Sequence, residues 1–514
     1  MKLNKLALAA ALVCGGFATQ ASAQATFQPF DAPNIKVFVS GASAPDGFLE
    51  SIATGLFQNS ATEPVYRYVA LSGGASAYRA FFGRVKNDAT VPAAIRGQTV
   101  MFIKRSRGGS VWGVNAVGRA ERIEVLNITA GSCTAGSGTS GDPYQCGTKG
   151  IDPGLPNYND PTNAGEVPDA GVSDVSPDLF KGPYNVEFGQ SSLSASEAAR
   201  LTVKPVNVLL MGVVATNAVP DTTVLSRSNY TAMLAGLIQD WSQIDSNITT
   251  GNTNVVVCRR VQGSGTQASY NWFFNNFPCQ NQFAGTVAPT RMVADSASGI
   301  VSGTGTELDP FIIDPTAGYT VVENPGSGDV RNCLARAGGA TVSGTRNHKF
   351  KGDNGSWYQI QFSNSANPFR AIGVLSADSY TSAFPNSAAS VWSFRNMDGA
   401  GIYNLATQAP GTGPGTGVAP SKANLVSGRW DFGAELSAQY RKTGVINVFG
   451  DNVAALAGTK KTFVDEFIKR AGDPAFNNVP HTAALPPTYD PTTTANVAKG
   501  TRFANMCSPL QLLF

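Results

Sequence analysis

Apolar residues recur along this chain with two alternating periods, which predict strands followed by helices. The run Lys36–Ser40 is apolar in its middle and predicts a strand. A tight turn at residues 41–44 and Pro45 then lead into a segment whose apolar residues are spaced as on one face of a helix. Those residues are Phe48, Leu49, Ile52, Leu56 and Phe57. The segment therefore predicts a strand, a turn and a helix.

A second unit of the same kind is predicted directly afterwards. Residues 65–71 predict a strand, and Ser72-Gly73-Gly74 predict a turn. The next residues predict a helix that carries Ala77, Tyr78, Phe81 and Phe82. Because strands that alternate with helices are typical of parallel sheets, we expect an α/β protein with a largely parallel sheet.

Three later segments have equally regular patterns. Val206–Ala215 predicts a buried strand, and Arg227–Ile238 predicts an amphipathic helix. Thr462–Ala471 predicts a helix with its apolar residues on one face.

Other regions have a looser pattern. Residues 84–168 are interpreted as an inserted surface region, within which Thr99–Lys104 and Arg122–Ile128 are candidate strands. Two Gly-rich stretches, at residues 296–328 and 408–421, predict loops or small hairpins.

The stretch Arg260–Thr266 combines a strand end, a Gly/Ser turn and a helix start. It follows the apolar run Val255–Val257 and precedes residues 268–274, which predict a helix. The first N–H groups of a helix lack intrahelical acceptors and lie at the positive end of the helix dipole. The turn therefore predicts a site for a small oxyanion, to which Arg260 adds a full charge. The last four residues of this stretch, Gly-Ser-Gly-Thr, also occur at Gly136–Thr139. That second copy has neither a predicted strand before it nor a predicted helix after it.

Residues 1–23 predict a cleaved secretory signal. The segment starts with two lysines, continues with the apolar run Leu6–Val13 and ends at Ala21-Ser22-Ala23. We expect an exported protein, with a lipid anchor on Cys14 as the less favoured alternative. Without the two lysines the formal net charge falls from +3 to +1. That balance argues against a nucleic-acid partner, which usually requires a basic face.

Six cysteines follow the signal, and an even number in an exported chain predicts disulfides. Loop length favours the pairs Cys133–Cys146 and Cys258–Cys279, which leaves Cys333 with Cys507, although six cysteines allow 15 pairings. The chain has no C-x-x-C motif and only two histidines, so a metal site is not expected.

Four motifs stand at predicted strand ends: Gly41–Pro45, Ala70–Gly74, Gly171–Ser176 and Arg260–Thr266. In this order they resemble the G-A-T-F-P, G-S-S-G-G, G-A-S-D-A-P and R-x-D-G-S-G-T elements of the phosphate-binding proteins of bacterial phosphate ABC transporters. Residues 214–242 and 371–374 are also similar to that family. The resemblance leaves out residues 84–168 and 296–330.

The resemblance implies a two-lobed periplasmic-binding-protein fold of type 2, each lobe a mainly parallel sheet flanked by helices. Residues 24–205 and 375–514 would form lobe 1, with an insertion at about 84–168. Residues 206–374 would form lobe 2, with a Gly-rich insertion at about 296–330. The implied function is periplasmic capture of inorganic phosphate, or a related oxyanion, for an ABC permease. We expect a monomer without catalytic activity, cofactor or metal ion.

The resemblance also implies a ligand site at the ends of several strands. Its expected phosphate-binding residues are Ser43, Ala44, Ser72, Gly73, Asp174, Arg260, Ser264, Gly265 and Thr266. The planar guanidinium of Arg260 fits two phosphate oxygens. A carboxylate at Asp174 accepts a hydrogen bond from protonated phosphate, whereas sulfate has no proton to donate and is repelled.

Each of these residues also has a structural alternative. The serines and Thr266 are common helix caps, Arg260 suits a surface salt bridge, and Asp174 suits a loop or a cap. Ala44 replaces the family's aromatic residue and Gln262 replaces its acid, so the wall is more open and the arginine less rigidly held. A larger or organic phosphate, or another oxyanion, is therefore an alternative ligand.

Two other functions stay open at this point. One is a secreted or surface protein that binds phosphate through the same fold, has no permease and uses its insertions to interact; it would be extracellular. The other, less favoured, is a secreted phosphatase, since the chain has two histidines and neither a G-x-S-x-G nor an H-E-x-x-H motif.

Overall fold

The computed structural model describes residues 26–71, 77–152, 159–187, 190–279, 300–352, 354–380, 391–404, 409–411, 415–477, 479–486 and 495–513. The predicted signal at residues 1–23 lies outside these ranges, as do the predicted ligand residues Ser72 and Gly73.

The helices of the described ranges are α1 (Asp46–Leu56), α2 (Asn115–Arg119), α3 (Ala195–Ala199), α4 (Arg227–Leu234), α5 (Gly265–Asn275), α6 (Ser327–Ala337), α7 (Lys422–Ser427) and α8 (Gly458–Gly472). The strands up to residue 216 are β1 (Ile35–Gly41), β2 (Tyr66–Ala70), β3 (Tyr78–Arg84), β4 (Thr99–Arg105), β5 (Val125–Leu126), β6 (Cys133–Ala135), β7 (Tyr144–Cys146), β8 (Thr148–Lys149), β9 (Ala170–Ser173) and β10 (Leu201–Thr216). Those up to residue 376 are β11 (Asn252–Arg260), β12 (Ile300–Ser302), β13 (Phe311–Ile313), β14 (Thr320–Asn324), β15 (His348–Lys351), β16 (Trp357–Ile360) and β17 (Phe369–Ser376). The remainder are β18 (Trp392–Arg395), β19 (Ile402–Asn404), β20 (Ala409–Pro410), β21 (Gly433–Arg441), β22 (Val445–Ile446), β23 (Asn452–Val453), β24 (Thr482–Ala484), β25 (Gly500–Thr501) and β26 (Gln511–Leu512).

The main sheet runs in the order β14-β11-β17-β10-β21-β9-β1-β4-β3-β2-β7-β6. Two groups of parallel strands lie within it. We call β9, β1 and β4 the first group and β14, β11 and β17 the second group. Antiparallel pairings through β10 and β21 join the groups. The predicted α/β class is thus confirmed, with parallel strands in both parts of the sheet.

Strand β10 belongs to both parts. Its residues Leu201–Leu210 pair with β21, and Met211–Ala215 pair with β17. The register shifts between Pro205 and Asn207, where proline cannot donate a ladder hydrogen bond. The predicted strand at 206–215 is confirmed as part of β10.

Helices α1 and α8 confirm the predicted amphipathic patterns. In α1 the residues Phe48, Leu49, Ile52 and Leu56 are buried. In α8 the buried apolar residues are Phe463, Val464, Phe467, Ile468 and Ala471. Helix α4 begins at the predicted Arg227 but ends earlier, at Leu234.

The predicted second helix is wrong: residues 78–84 form β3, antiparallel to both β2 and β4. Over so short a run, aromatic residues at 78, 81 and 82 fit the periodicity of a helix as well as that of a strand. Residues 78–84 form a strand because they pair with a neighbouring strand on each side.

Two regions interpreted as peripheral supply buried strands of the main sheet. The candidate strand at 99–104, within the predicted insertion, is β4, and all seven of its residues are buried. Within the predicted loop at 296–328, β14 is also buried throughout. The lobe boundaries themselves stay predictions.

The described chain contains three disulfides. Cys133–Cys146 is confirmed, but the other two pairs were wrongly predicted: Cys258 bonds to Cys333 and Cys279 bonds to Cys507. Helix α6 packs on β11, which places Cys333 over Cys258 although 75 residues separate them. Proximity in sequence is thus a poor guide where helices fold back over strands.

Candidate functional site

A cavity of about 890 Å³ lies at the carboxyl ends of both groups of parallel strands. Each strand of both groups is followed within a few residues by a residue that lines the cavity. These residues are Ser43 after β1, Ser106 after β4, Asp174 after β9, Val261 after β11, Pro325 after β14 and Asp378 after β17. Open α/β sheets bind ligands at the carboxyl ends of parallel strands. The topology therefore marks this cavity as the candidate site.

The first wall is the turn between β1 and α1. Gly41 has a φ of +115°, and a Cβ atom there would lie 1.9 Å from the carbonyl oxygen of Val172, so the turn requires glycine. The buried Lys104 Nζ supports the turn, because it donates to the carbonyl oxygen of Ala42 at 2.7 Å and to Ser106 Oγ at 2.7 Å. Burial lowers the pKa of Lys104 to about 8, against the opposing effect of Asp46.

Asp46, in the first turn of α1, adds a carboxylate to the same wall. Ser106 Oγ lies 2.7 Å from Asp46 Oδ2, and Lys104 Nζ lies 3.7 Å from Asp46 Oδ1. Burial raises the pKa of Asp46, and Lys104 opposes the rise. Ser43 is exposed to the cavity, while Ala44 is buried beside it.

The second wall is built around Arg260, which is only 7% exposed. Its Nη1 donates to Ser327 Oγ at 3.0 Å and its Nη2 to the carbonyl oxygen of Pro325 at 2.8 Å. Among the residues that the structure describes, its Nε has no hydrogen-bond partner. Burial lowers the pKa of Arg260, while the carboxylates of Asp174, Asp329 and Asp378 oppose that effect. The alternative of a surface salt bridge does not fit this buried position.

The neighbouring Arg259 is buried in an ion pair with Glu323. The two successive arginines therefore have different roles. Arg259 joins β11 to β14, and Arg260 lines the cavity.

Asp174 faces the same cavity and is also 7% exposed. Its backbone N–H donates to Ser110 Oγ at 3.2 Å, but its Oδ1 has no hydrogen-bond partner within the described ranges. Burial raises the pKa of Asp174 to about 6; nearby Asp378 adds to the rise, and Arg260 and Lys104 oppose it. Ser176, not Asp174, occupies the N-cap position of the helical turn that follows, so a capping role does not explain Asp174.

Helix α5 begins between Asp174 and Arg260 in space. Ser264 is its N-cap, and its hydroxyl accepts from the Gln267 N–H at 3.4 Å. The predicted capping role is thus present, and Ser264 also lines the cavity. Gly265 and Thr266 are buried directly after it. The structure therefore brings Ser43, Asp174, Arg260 and Ser264 to one cavity, with Ala44, Gly265 and Thr266 adjoining them in sequence.

The two walls touch each other at residues 109–111. The Val111 N–H donates to the carbonyl oxygen of Gly263 at 3.1 Å. A Cβ atom placed on Gly109 would lie 3.5 Å from the Ser264 Cα and 3.8 Å from Arg260 Nη2. These contacts set the distance between the two sides of the cavity.

Several lining residues had not been predicted. They are Asp46, Ser110, Ser327, Asp378 and His481. The Gly-Gly-Ser sequence at 108–110 after a candidate strand, and the turn before α6, repeat the strand-end pattern and were the available signals. His481 had no such signal, because it follows a helix at a distant part of the chain.

No helix of the described ranges is both long and apolar enough to span a bilayer. Those same ranges contain no group of three or more His, Cys, Asp and Glu side chains that could hold a metal ion.

No family model matches the chain, and no curated protein sequence matches it. Solved structures named for phosphate binding are similar to it. A high-affinity periplasmic phosphate-binding protein solved with phosphate has 13% identity and a TM-score of 0.38, covering 86% of this chain and 87% of its own. A phosphate-binding protein from Stenotrophomonas maltophilia has 14% identity and a TM-score of 0.33, covering 85% and 84%. An ABC-type phosphate transport receptor from Vibrio cholerae has 11% identity and a TM-score of 0.31, covering 84% and 98%.

The family named in these structures is the one that the sequence motifs resemble. All three TM-scores are below 0.4. The chemistry of the cavity follows from its own residues.

Proposed function

We propose that this protein is an exported solute-binding protein that captures inorganic phosphate, or a closely related oxyanion, in the cavity and delivers it to an ABC permease. The observation that carries the proposal is the pair formed by Arg260 and Asp174. Each is 7% exposed, each lines the same cavity, and each keeps one buried polar atom without a partner among the described residues. Buried polar atoms are almost always hydrogen-bonded, so an unmet donor and an unmet acceptor on residues of one cavity support a ligand that supplies both.

The positive contributions to the site come from three sources. Arg260 supplies a full charge, and the starts of α1 and α5 supply N–H groups at the positive ends of two helix dipoles. Lys104 lies behind the first turn and adds to the same potential. This arrangement favours an anion of small size held by several donors at once.

Asp174 makes the proposed site selective. A carboxylate among donors repels an anion unless the anion brings a proton of its own. Phosphate keeps a proton at neutral pH and can donate it to Asp174 Oδ1, whereas sulfate cannot. A bound sulfate would leave two charges facing each other, which is costly in a buried site.

Calorimetric titration of protein first stripped of ligand by unfolding and refolding tests the proposal. We expect phosphate and arsenate to bind tightly at pH 7.5 and sulfate to give little heat. Strong binding of sulfate would contradict the role of Asp174. Absence of binding to all three anions, on protein shown to be refolded by circular dichroism, would overturn the proposed function.

A further inference from the structure

His481 is a further buried polar group that lines the cavity. It is 6% exposed, and neither its Nδ1 nor its Nε2 has a hydrogen-bond partner in the part of the chain that the structure describes. Burial and nearby Lys422 lower the pKa of His481, while Asp378 opposes the shift. The ring is therefore neutral near pH 7, with one N–H donor and one acceptor nitrogen.

The position of His481 separates it from Arg260. Its ring packs on the first turn of α1, where a Cβ atom on Gly47 would lie 3.6 Å from Nε2. Arg260 belongs to the opposite wall, where it bonds to the residues that lead into α6. A ligand that meets the unpartnered atoms of both residues must reach across the cavity.

The size of the cavity agrees with such a ligand. A volume of about 890 Å³ lies within the range of roughly 300–1,000 Å³ that is usual for pockets enclosing organic molecules. A single tetrahedral oxyanion occupies a small part of it.

We propose that the cavity takes a phosphate monoester with hydroxyl groups, whose phosphoryl group binds between Arg260 and Asp174 and whose hydroxyl binds to His481. A hydroxyl can either accept from the N–H of a neutral imidazole or donate to its other nitrogen, so it can pair with whichever nitrogen faces the ligand. This inference rests on the proposed function, because it uses the same phosphoryl site. It adds the class of ligand, a phosphate monoester with hydroxyl groups. It also names His481 as the residue that distinguishes such an ester from one without a hydroxyl.

The test compares three ligands by calorimetry at pH 6.0: inorganic phosphate, methyl phosphate and glycerol 3-phosphate. The second pKa of a phosphate ester is about 6, as is the pKa of Asp174, so at this pH either group can supply the one proton that they share. We expect glycerol 3-phosphate to bind about tenfold more tightly than methyl phosphate, as one added hydrogen bond provides.

Two variants assign that preference to His481. In His481→Phe, a ring of similar size without hydrogen-bonding atoms, we expect the preference to disappear while methyl phosphate and inorganic phosphate keep their affinities. In His481→Gln, which restores a donor and an acceptor, we expect part of the preference to return.

The outcomes separate this inference from the proposed function. If the wild-type protein binds both esters equally, or binds phosphate but neither ester, the ester site is refuted and the phosphate site stands. A uniform loss for all three ligands in His481→Phe would show a structural role for the histidine and would also refute the ester site. If none of the three ligands binds the wild-type protein, the proposed function itself fails.

Discussion

Gly265 and Asp174 come from opposite parts of the sheet and lie in close contact beside the cavity. A Cβ atom on Gly265 would lie 2.8 Å from the Asp174 Cβ and 2.3 Å from Ser110 Oγ. The start of α5 can approach Asp174 only because residue 265 has no side chain. The proposed site therefore depends on a glycine as much as on its charged residues.

The substitution Gly265→Ala should weaken phosphate binding at least about tenfold and destabilise the protein by ~1–3 kcal/mol, since a methyl group would force the two walls apart. Titration and thermal unfolding measure the two effects. Gly131→Ala is the matched control, because no atom lies within 4 Å of the position of its added Cβ. Equal affinities in both variants would contradict the close approach.

Removal of the Arg260 guanidinium should cost about a hundredfold or more in phosphate affinity, because charge-assisted hydrogen bonds to a buried anion are lost. Arg260→Ala measures this by titration. Arg260→Lys should recover little, since an ammonium group cannot reproduce the planar pair of donors. The exposed Arg429→Ala is the control and should bind as the wild-type protein does. An unchanged affinity in Arg260→Ala would exclude Arg260 from the site.

Sulfate binding should depend on pH through Asp174. Burial raises the pKa of Asp174 to about 6, so the side chain is a carboxylate at pH 8 and largely a neutral acid at pH 5. A neutral acid can donate to sulfate. We therefore expect sulfate to bind more tightly as the pH falls through 6, and Asp174→Asn to bind sulfate at both pH values. Titrations with sulfate that show no pH dependence in the wild-type protein would refute this.

The same carboxyl should destabilise the ligand-free protein near neutral pH. Its pKa is higher in the folded than in the unfolded state, so its stabilising contribution is complete below about pH 4 and is lost as the pH rises through about 6. Ionised Asp174 then costs as much as ~3 kcal/mol.

We expect Asp174→Asn to raise the Tm of ligand-free protein at pH 7.5 and to leave it nearly unchanged at pH 4. Asp431→Asn, at a position whose side chain is 66% exposed, serves as the control. A lower Tm for Asp174→Asn at pH 7.5 would contradict the sign derived from the raised pKa.

The disulfide Cys258–Cys333 should contribute more to stability than Cys133–Cys146. It closes a loop of 75 residues rather than 13, for which chain entropy predicts about 4 and about 3 kcal/mol. Unfolding of the two double Cys→Ser variants measures the difference. Peptide mapping that finds Cys258 bonded to Cys279 would contradict the pairing itself.

Part of this fold could be predicted from short stretches of sequence. Residues 36–57 and 462–471 have clear periods, and the strand and helices formed there are close to those predicted. The turn after Val255–Val257 could also be recognised, because strand, Gly/Ser turn and helix start follow one another within a few residues. Residues 78–84 could not be assigned in this way, since their aromatic residues fit a helix or a strand until a neighbouring strand pairs with them.

The candidate site shows the same division. The sequence alone determined the turn that carries Arg260 and Ser264 as a candidate, because hydrogen-bonding groups exposed at strand ends and helix starts depend on neighbouring residues. Ser43 and Asp174 became candidates through the resemblance to the phosphate-binding family. Only the tertiary structure decided that Gly265 meets Asp174, that Cys258 pairs with Cys333 and that His481 completes the cavity. Those contacts join residues far apart in the chain, and the packing of helices on the sheet, rather than any local pattern, brings them together.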